Sequence, residues 1–172
     1  MTVPSATADF DEFYRRSAAR VIHLVYATTG DLGLAQDCAQ EAYARAWQQW
    51  ARLREYDEPS AWVRTVARRL AISQWRSRER ERAAFVRSHE GPVVASPADA
   101  VLDSVSVRAA LATLSLEQRE VLALFYVCDL PIARIARELD TPVGTIKARL
   151  SRGRTALATC LDAARTGKEP RP

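Results

Sequence analysis

Apolar residues recur three and four positions apart along almost the whole chain, and the pattern breaks for one long stretch, between residues 83 and 104. That spacing lines one face of an α-helix, whereas a half-buried strand needs strict alternation. The interrupting stretch, AAFVRSHEGPVVASPADAVLDS, carries Gly91-Pro92 and Ser96-Pro97 and reads as a linker with short helical pieces. Helices on either side must therefore bury their stripes locally. An all-α chain of two small helical domains joined by a flexible linker is the expected architecture, and only 6 glycines with few β-branched runs agree with it. A hydrophobic content of 48% is enough for folded cores and argues against wholesale disorder.

Asp9 and Glu12 are spaced as a capping box, followed by the stripe Phe10, Phe13, Tyr14, Val21, Leu24 and Val25 up to about Thr28. Thr28-Thr29-Gly30-Asp31 reads as a turn in which Asp31 caps a second helix. Ala35, Cys38, Ala39, Ala42, Tyr43, Ala46, Trp50 and Leu53 share one face of it. Leu53 to Ser60 reads as a loop, and Pro59 suits the first turn of a third helix running to about Arg82. After the linker, Ser115 and Gln118 form a second capping box that opens a helix over 116–127. Further helices are expected over about 131–139 and from Pro142 to about Ala164.

Charge is distributed unevenly. The net charge is only +4, but residues 62–82 hold seven arginines against two glutamates, and residues 134–165 hold seven basic residues against three acidic ones. Residues 27–61 reverse the balance, with six acidic residues against three basic. Two basic lobes and one acidic segment suit a protein that meets both nucleic acid and another protein.

The sharpest local pattern is PIARIARELDTPVGTIKARLSRGRTAL, residues 131–157. Ile132, Ile135, Ala136 and Leu139 face inward on its first helix, and Val143, Ile146, Leu150 and Leu157 do so on its second. Between them, Asp140-Thr141-Pro142 makes a tight turn in which Thr141 can cap and Pro142 opens the helix. The outer faces of the second helix present Thr145, Lys147, Arg149, Arg152 and Arg154. Such a helix can enter a major groove, its first turns meeting base edges and its later arginines meeting phosphates. An ordinary helical hairpin with a solvated basic face would show the same pattern.

In the third helix, Trp62, Val63, Val66, Ala67 and Leu70 define the inner face. The opposite side carries Arg64, Thr65, Arg68, Ile72, Trp75 and Arg76, with Arg69 beside them. Arginines along phosphates and an aromatic stacked on unpaired bases would suit single-stranded or melted nucleic acid. Packing of Ile72 and Trp75 on another helix, with snorkelling arginines, fits equally well. On the second helix, Asp37, Glu41, Ala44 and Gln48 lie opposite the core stripe, flanked by Gln40 and Trp47. That face is either plainly solvated or an interface anchored by Trp47.

Cys38, Cys128 and Cys160 are isolated, and no Cys/His cluster suggests a metal site, so neither metal nor cofactor is expected. His23 and His89 stand alone, with no paired acid, base or nucleophile, which argues against an enzyme. No leader core or long apolar run occurs, so a cytoplasmic protein without a membrane partner is expected.

Taken in order, three stretches resemble the extracytoplasmic-function (ECF) branch of the sigma-70 family, over about Phe10 to Leu161. DLGLAQDCAQEAYARAW (31–47) resembles the segment that contacts the clamp helices of core RNA polymerase, with Asp37, Gln40, Glu41 and Tyr43 at the matching positions. EPSAWVRTVARRLAISQWRSR (58–78) resembles the element that melts and reads the −10 region. TLSLEQREVLALFYVCDLPIARIARELDTPVGTIKARLSRGRTAL (113–157) resembles the −35-reading domain.

The resemblance implies sigma domain 2 over residues 1–85, a linker over 86–104, a helix-turn-helix sigma domain 4 over 105–165 and a tail over 166–172. Together with the outward faces read above, it gives core polymerase contacts at Asp37, Gln40, Glu41 and Trp47, and −10 contacts at Arg64, Arg68, Arg69, Ile72, Trp75 and Arg76. Contacts to the −35 duplex fall to Thr145, Lys147, Arg149, Arg152 and Arg154, and capture of a flipped −10 base to the loop Leu53–Ser60. The partners implied are core polymerase and promoter DNA, as −35 duplex and melted −10 strand; an anti-sigma factor is a further partner by analogy, which no residue specifies. The chain departs from the family at Arg69, where Asn is frequent, and at Ser73, where Asp is. It departs again at Ala133 and Arg134, where acidic residues are usual, and at Asp140, where Gly is common. A conventional helix-turn-helix regulator would explain the C-terminal half but not the cationic, Trp-bearing helix.

Overall fold

The computed structural model describes residues 6–88 and 109–166, and every element in those residues is helical. The helices are α1 (Ala6–Thr29), α2 (Leu32–Gln48), α3 (Trp50–Leu53), α4 (Pro59–Ser88), α5 (109–112), α6 (Leu116–Tyr126), α7 (Ile132–Glu138) and α8 (Val143–Thr166). The expected linker lies outside the described residues, except that α4 continues through its first residues to Ser88; the tail beyond Thr166 lies outside them too.

Local chemistry sets most boundaries. Gly30 ends α1 with φ +74°, its N–H donating to the Tyr26 carbonyl at 2.7 Å. Asp31 then caps α2 by accepting from the Leu34 N–H at 2.8 Å. The Ser115–Gln118 capping box forms in both directions. Two expected caps do not. The first helix already begins at Ala6, which leaves Asp9 inside its first turn. At the start of α8 the Thr141 hydroxyl donates back to the Leu139 carbonyl, and the Pro142 carbonyl accepts the first helical bonds. The loop expected over Leu53–Ser60 is shortened by α3, which holds Leu53, and by α4, which starts at Pro59.

Two apolar clusters form the interior. In the first, the alanine stripe Ala35, Ala39, Ala42 and Ala46 of α2 lets α1 and α4 approach closely, with Val25, Val63 and Ala67 beside it. Phe10, Phe13, Tyr43 and Trp50 close one end, with the Phe13 and Trp50 rings stacked at 4.9 Å. The second cluster joins Val121 and Leu124 of α6, Ile135 and Ala136 of α7, and Ile146 and Leu150 of α8. Val143, expected in that stripe, is exposed, because the first turn of α8 projects past the cluster.

Leu24 couples the lobes. It belongs to α1 but is fully buried in the second cluster, where Ala27 packs as well. Burying such a side chain is worth roughly 1.5–3 kcal/mol. The N-terminal lobe therefore lends a residue to the core of the C-terminal one, and α1 lies against α6.

Candidate nucleic-acid interface

Three faces expected to meet partners lie on separate elements. On α2, Asp37, Gln40 and Glu41 are exposed, and Trp47 is 44% exposed while its ring rests on Phe10 at 5.1 Å. Among the described residues Glu41 is engaged along its own helix, accepting from Arg45 at 2.7 Å. This face is open, as its position opposite the alanine stripe requires.

On α8, Thr145, Lys147 and Arg152 are exposed, and Arg149 is half-buried. Arg154 is exposed but tethered: its Nε donates to the Tyr126 hydroxyl at 2.8 Å, and its guanidinium lies 5.0 Å from the centre of the Phe125 ring. It clips α8 to α6. Gly153 makes that approach possible, since a Cβ there would lie 2.8 Å from Leu122 Cδ1.

The α4 face differs from its expected form. Arg69 and Arg76 are exposed, and Ile72 and Trp75 are partly buried. They line a groove of about 760 Å³ that also includes Glu79 and Glu120. Arg64 and Arg68, however, are only 5% and 8% exposed. The helical wheel places them opposite the core of their own lobe correctly, but α6 and α7 of the second lobe cover that side.

The residues of the second lobe that meet these two guanidiniums are Glu120 and Glu138. Arg64 Nε donates to Glu138 Oε2 at 3.1 Å, and its Nη2 bonds Glu138 Oε1 and, at 3.2 Å, Glu58 Oε1. Burial pulls the Arg64 guanidinium towards losing its proton, but Glu138 outweighs it and holds the pKa above its ordinary value. Arg68 Nη1 bonds the Glu120 carboxylate, and its Nη2 reaches the Glu138 carbonyl at 3.4 Å. Its Nε is buried without a partner among the described residues. Arg134 of α7 completes the seam, donating to Glu58 Oε2 at 2.7 Å and to Glu138 Oε1 at 3.3 Å.

Trp75 is also engaged across the seam. The Arg119 guanidinium lies 5.5 Å from its ring centre and donates to the Thr28 carbonyl at 3.3 Å. Burial lowers the Arg119 pKa, opposed by Glu79. Glu58, Glu120, Glu138, Arg119 and Arg134 carry no motif of their own. One signal is visible in sequence: Leu116, Glu120 and Leu124 are four apart on one helix face, so a carboxylate falls on a stripe that is otherwise buried. A buried charge requires a partner.

The two lobes each match a described family region. Sigma-70 region 2 matches residues 13–81, and Sigma-70, region 4 matches residues 104–157. The ECF RNA polymerase sigma factor SigK of Mycolicibacterium vanbaalenii is 34% identical over 169 residues, covering 90% of this chain and 83% of that protein. The chain belongs to the ECF sigma factors of the sigma-70 family. SigL of Mycobacterium tuberculosis, also an ECF sigma factor, is 34% identical over 141 residues, which is 80% of each chain. Among solved structures, the sigma factor RpoE of Bartonella quintana, in complex with the anti-sigma factor NepR, is 26% identical. It superimposes with a TM-score of 0.72 over 90% of this sigma factor and 97% of that chain. A match confined to one lobe could not reach that score, so the relative placement of the two lobes is shared.

Among the described residues no helix of this sigma factor is long and apolar enough to cross a membrane.

Proposed function

We propose that this sigma factor binds core RNA polymerase, directs it to promoters and helps open them, while the chemistry of RNA synthesis stays with the polymerase. Domain 2 (1–85) would dock through Asp37, Gln40, Glu41 and Trp47, and read the melted −10 strand through Arg69, Ile72, Trp75 and Arg76. Arg64 and Arg68 would join that set once the lobes part. Domain 4 (105–165) would hold the −35 duplex, with Thr145 and Lys147 at base edges and Arg149, Arg152 and Arg154 near phosphates. The segment 86–104 would span the polymerase surface between them, and 166–172 would form a tail. The site of action is the cytoplasm, where promoter DNA is. The RpoE relative was solved with an anti-sigma factor, and a partner of that class fits here as well.

The observation that carries this reading is the pairing, in one chain and in family order, of an open acidic-aromatic face on α2 with an open cationic face on α8. Neither lobe alone offers enough basic surface to clamp a promoter. Run-off transcription with core polymerase and fragments of the source genome tests it: discrete transcripts should require this chain. Glu41→Ala and Trp47→Ala should weaken core association while far-ultraviolet circular dichroism stays unchanged. Tight, sequence-selective duplex binding by the free chain, with no transcripts on adding core, would point instead to a conventional regulator.

A further inference from the structure

The inward stripe of α8 runs through Ile146 and Leu150, both fully buried, to Leu157 at the edge of the second cluster. Val143 stands one helical period ahead of Ile146 but is 43% exposed, among the exposed residues Pro142, Gly144, Thr145 and Lys147. A Cβ built on Gly144 would meet nothing within 4 Å, so the first turn is open around it. Val143 thus presents an apolar side chain that contributes nothing to the core of its own lobe. Val143 and Lys147 are four apart and share a helix face. They are separated by about 6 Å along the helix axis. A base-pair step advances about 3.4 Å. A helix lying in the major groove therefore sets the two side chains over base pairs about two steps apart.

We propose that Val143 reads a methyl group: in the −35 duplex it packs on the C5 methyl of one pyrimidine, beside the base pair that Lys147 meets. The inference rests on the sigma reading above and adds to it a contact made by apolar burial instead of hydrogen bonding. In the major groove thymine presents its C5 methyl, which no donor or acceptor can recognise. Lys147 has only donors to offer, so the apolar partner on that face is Val143. Its β-branching helps, because a helical valine is held in essentially one rotamer and loses little freedom on docking. Gly144, lacking a side chain, leaves space beside the contact. What is recognised is the methyl and not the base pair as such. 5-Methylcytosine carries the same group on the same carbon, so methylation of a cytosine at this position would raise promoter affinity.

The test uses holoenzyme assembled from core polymerase and the full chain, on a promoter recovered by run-off transcription. Each −35 pyrimidine is exchanged singly for the one that differs only in the C5 methyl: deoxyuridine for thymidine, 5-methyldeoxycytidine for deoxycytidine. At one position the methylated form should bind about fourfold more tightly, the worth of one buried methyl. Val143→Ala should bind both forms alike, and Val143→Ile, still apolar and β-branched, should keep the preference. Val143 is exposed, so both variants should match wild type by circular dichroism. Lys147→Ala should weaken binding and leave the methyl ratio standing, which separates methyl reading from a general loosening of the helix in the groove. The proposal is overturned if wild type shows no methyl preference at any pyrimidine. It is overturned equally if Val143→Ala retains the preference, or if Val143→Ile or Lys147→Ala abolishes it. Failure of the sigma reading would appear earlier, as an absence of transcripts from wild type with core polymerase, and would take this proposal with it.

Discussion

Arg64 and Glu138 are 74 positions apart in sequence, yet Arg64 Nε donates to Glu138 Oε2 at 3.1 Å across the seam between the lobes. A second bond from Nη2 makes the pair bidentate, and both side chains are more than nine-tenths buried. Breaking one side of such a pair strands the other charge, at a cost of ~3–5 kcal/mol, while replacing both with apolar groups is close to neutral. Arg64→Met should therefore undock the lobes, whereas Arg64→Met with Glu138→Leu should keep them docked. Hydrogen exchange in α6 reads docking directly. Equal exchange in both variants would remove the pair from the docking account.

Gly153 marks the crossing of α8 over α6, where an added Cβ would lie 2.8 Å from Leu122 Cδ1 and 3.2 Å from Cγ. Gly153→Ala gains about 1 kcal/mol in helix propensity but overpacks a site where crowding costs about 1–3 kcal/mol. Leu122 is itself buried and cannot swing away freely. A net loss on the order of 1 kcal/mol is expected in urea melts. Adding Leu122→Ala to the same chain should cost less than the two single changes summed, the signature of a shared contact.

Asp140 occupies the left-handed region at φ 47°. Its N–H donates to the Arg137 carbonyl at 3.3 Å and the Thr141 N–H to the Ala136 carbonyl at 2.9 Å, the two bonds of a Schellman motif closing α7. Glycine meets no steric penalty there. Asp140→Gly should stabilise the chain by about 0.5–1 kcal/mol, and Asp140→Val should destabilise it by about 1–2 kcal/mol. Thermal melts of the three proteins give the order; a valine variant as stable as wild type would contradict the assigned backbone.

Burial pushes the Tyr43 phenol up to about 12, partly held back by the Ser17 hydroxyl, 2.6 Å away. The folded state thus favours the protonated phenol over the unfolded chain, whose tyrosines titrate near ~10. The stabilisation is fully present below about pH 10 and is lost as pH climbs from there towards 12. Tyr43→Phe should be less stable by about 1 kcal/mol near neutrality, from the missing hydrogen bond. That deficit should shrink with rising pH. Denaturant melts at stepped pH give the difference, and a deficit that grows instead would reverse the sign assigned here.

Lys147 and Arg152 stand on the second and third turns of α8, and both are exposed. Base contacts discriminate sequence, while phosphate contacts add affinity alone. In holoenzyme, Lys147→Ala should flatten the −35 preference, costing about 1–3 kcal/mol on the favoured element and less on mismatched ones. Arg152→Ala should weaken all variants alike and reduce the salt slope by about one. Binding to single-base −35 variants at several salt concentrations separates the two, and the assignment fails if the patterns exchange.

Much of this protein was legible in the order of its residues. The alanine stripe of α2, the cap at Asp31, the capping box at Ser115 and Gln118, and the turn at Asp140 depend on neighbours within a few positions. Helical periodicity exposes them directly. The same locality placed Asp37, Glu41 and Lys147 on open faces, because each needs only to lie opposite its own helix's buried stripe. Tertiary structure decided what covers the far side of α4. A helical wheel marks Arg64 and Arg68 as facing away from one core, but it carries no information about a second lobe that arrives there from 52 to 74 residues later in the chain. Charge makes that contact possible, and apolar Leu24, projecting from α1 into the other core, sets where it forms. Burial of that one side chain is a long-range packing choice, and no local spacing in the sequence encodes it.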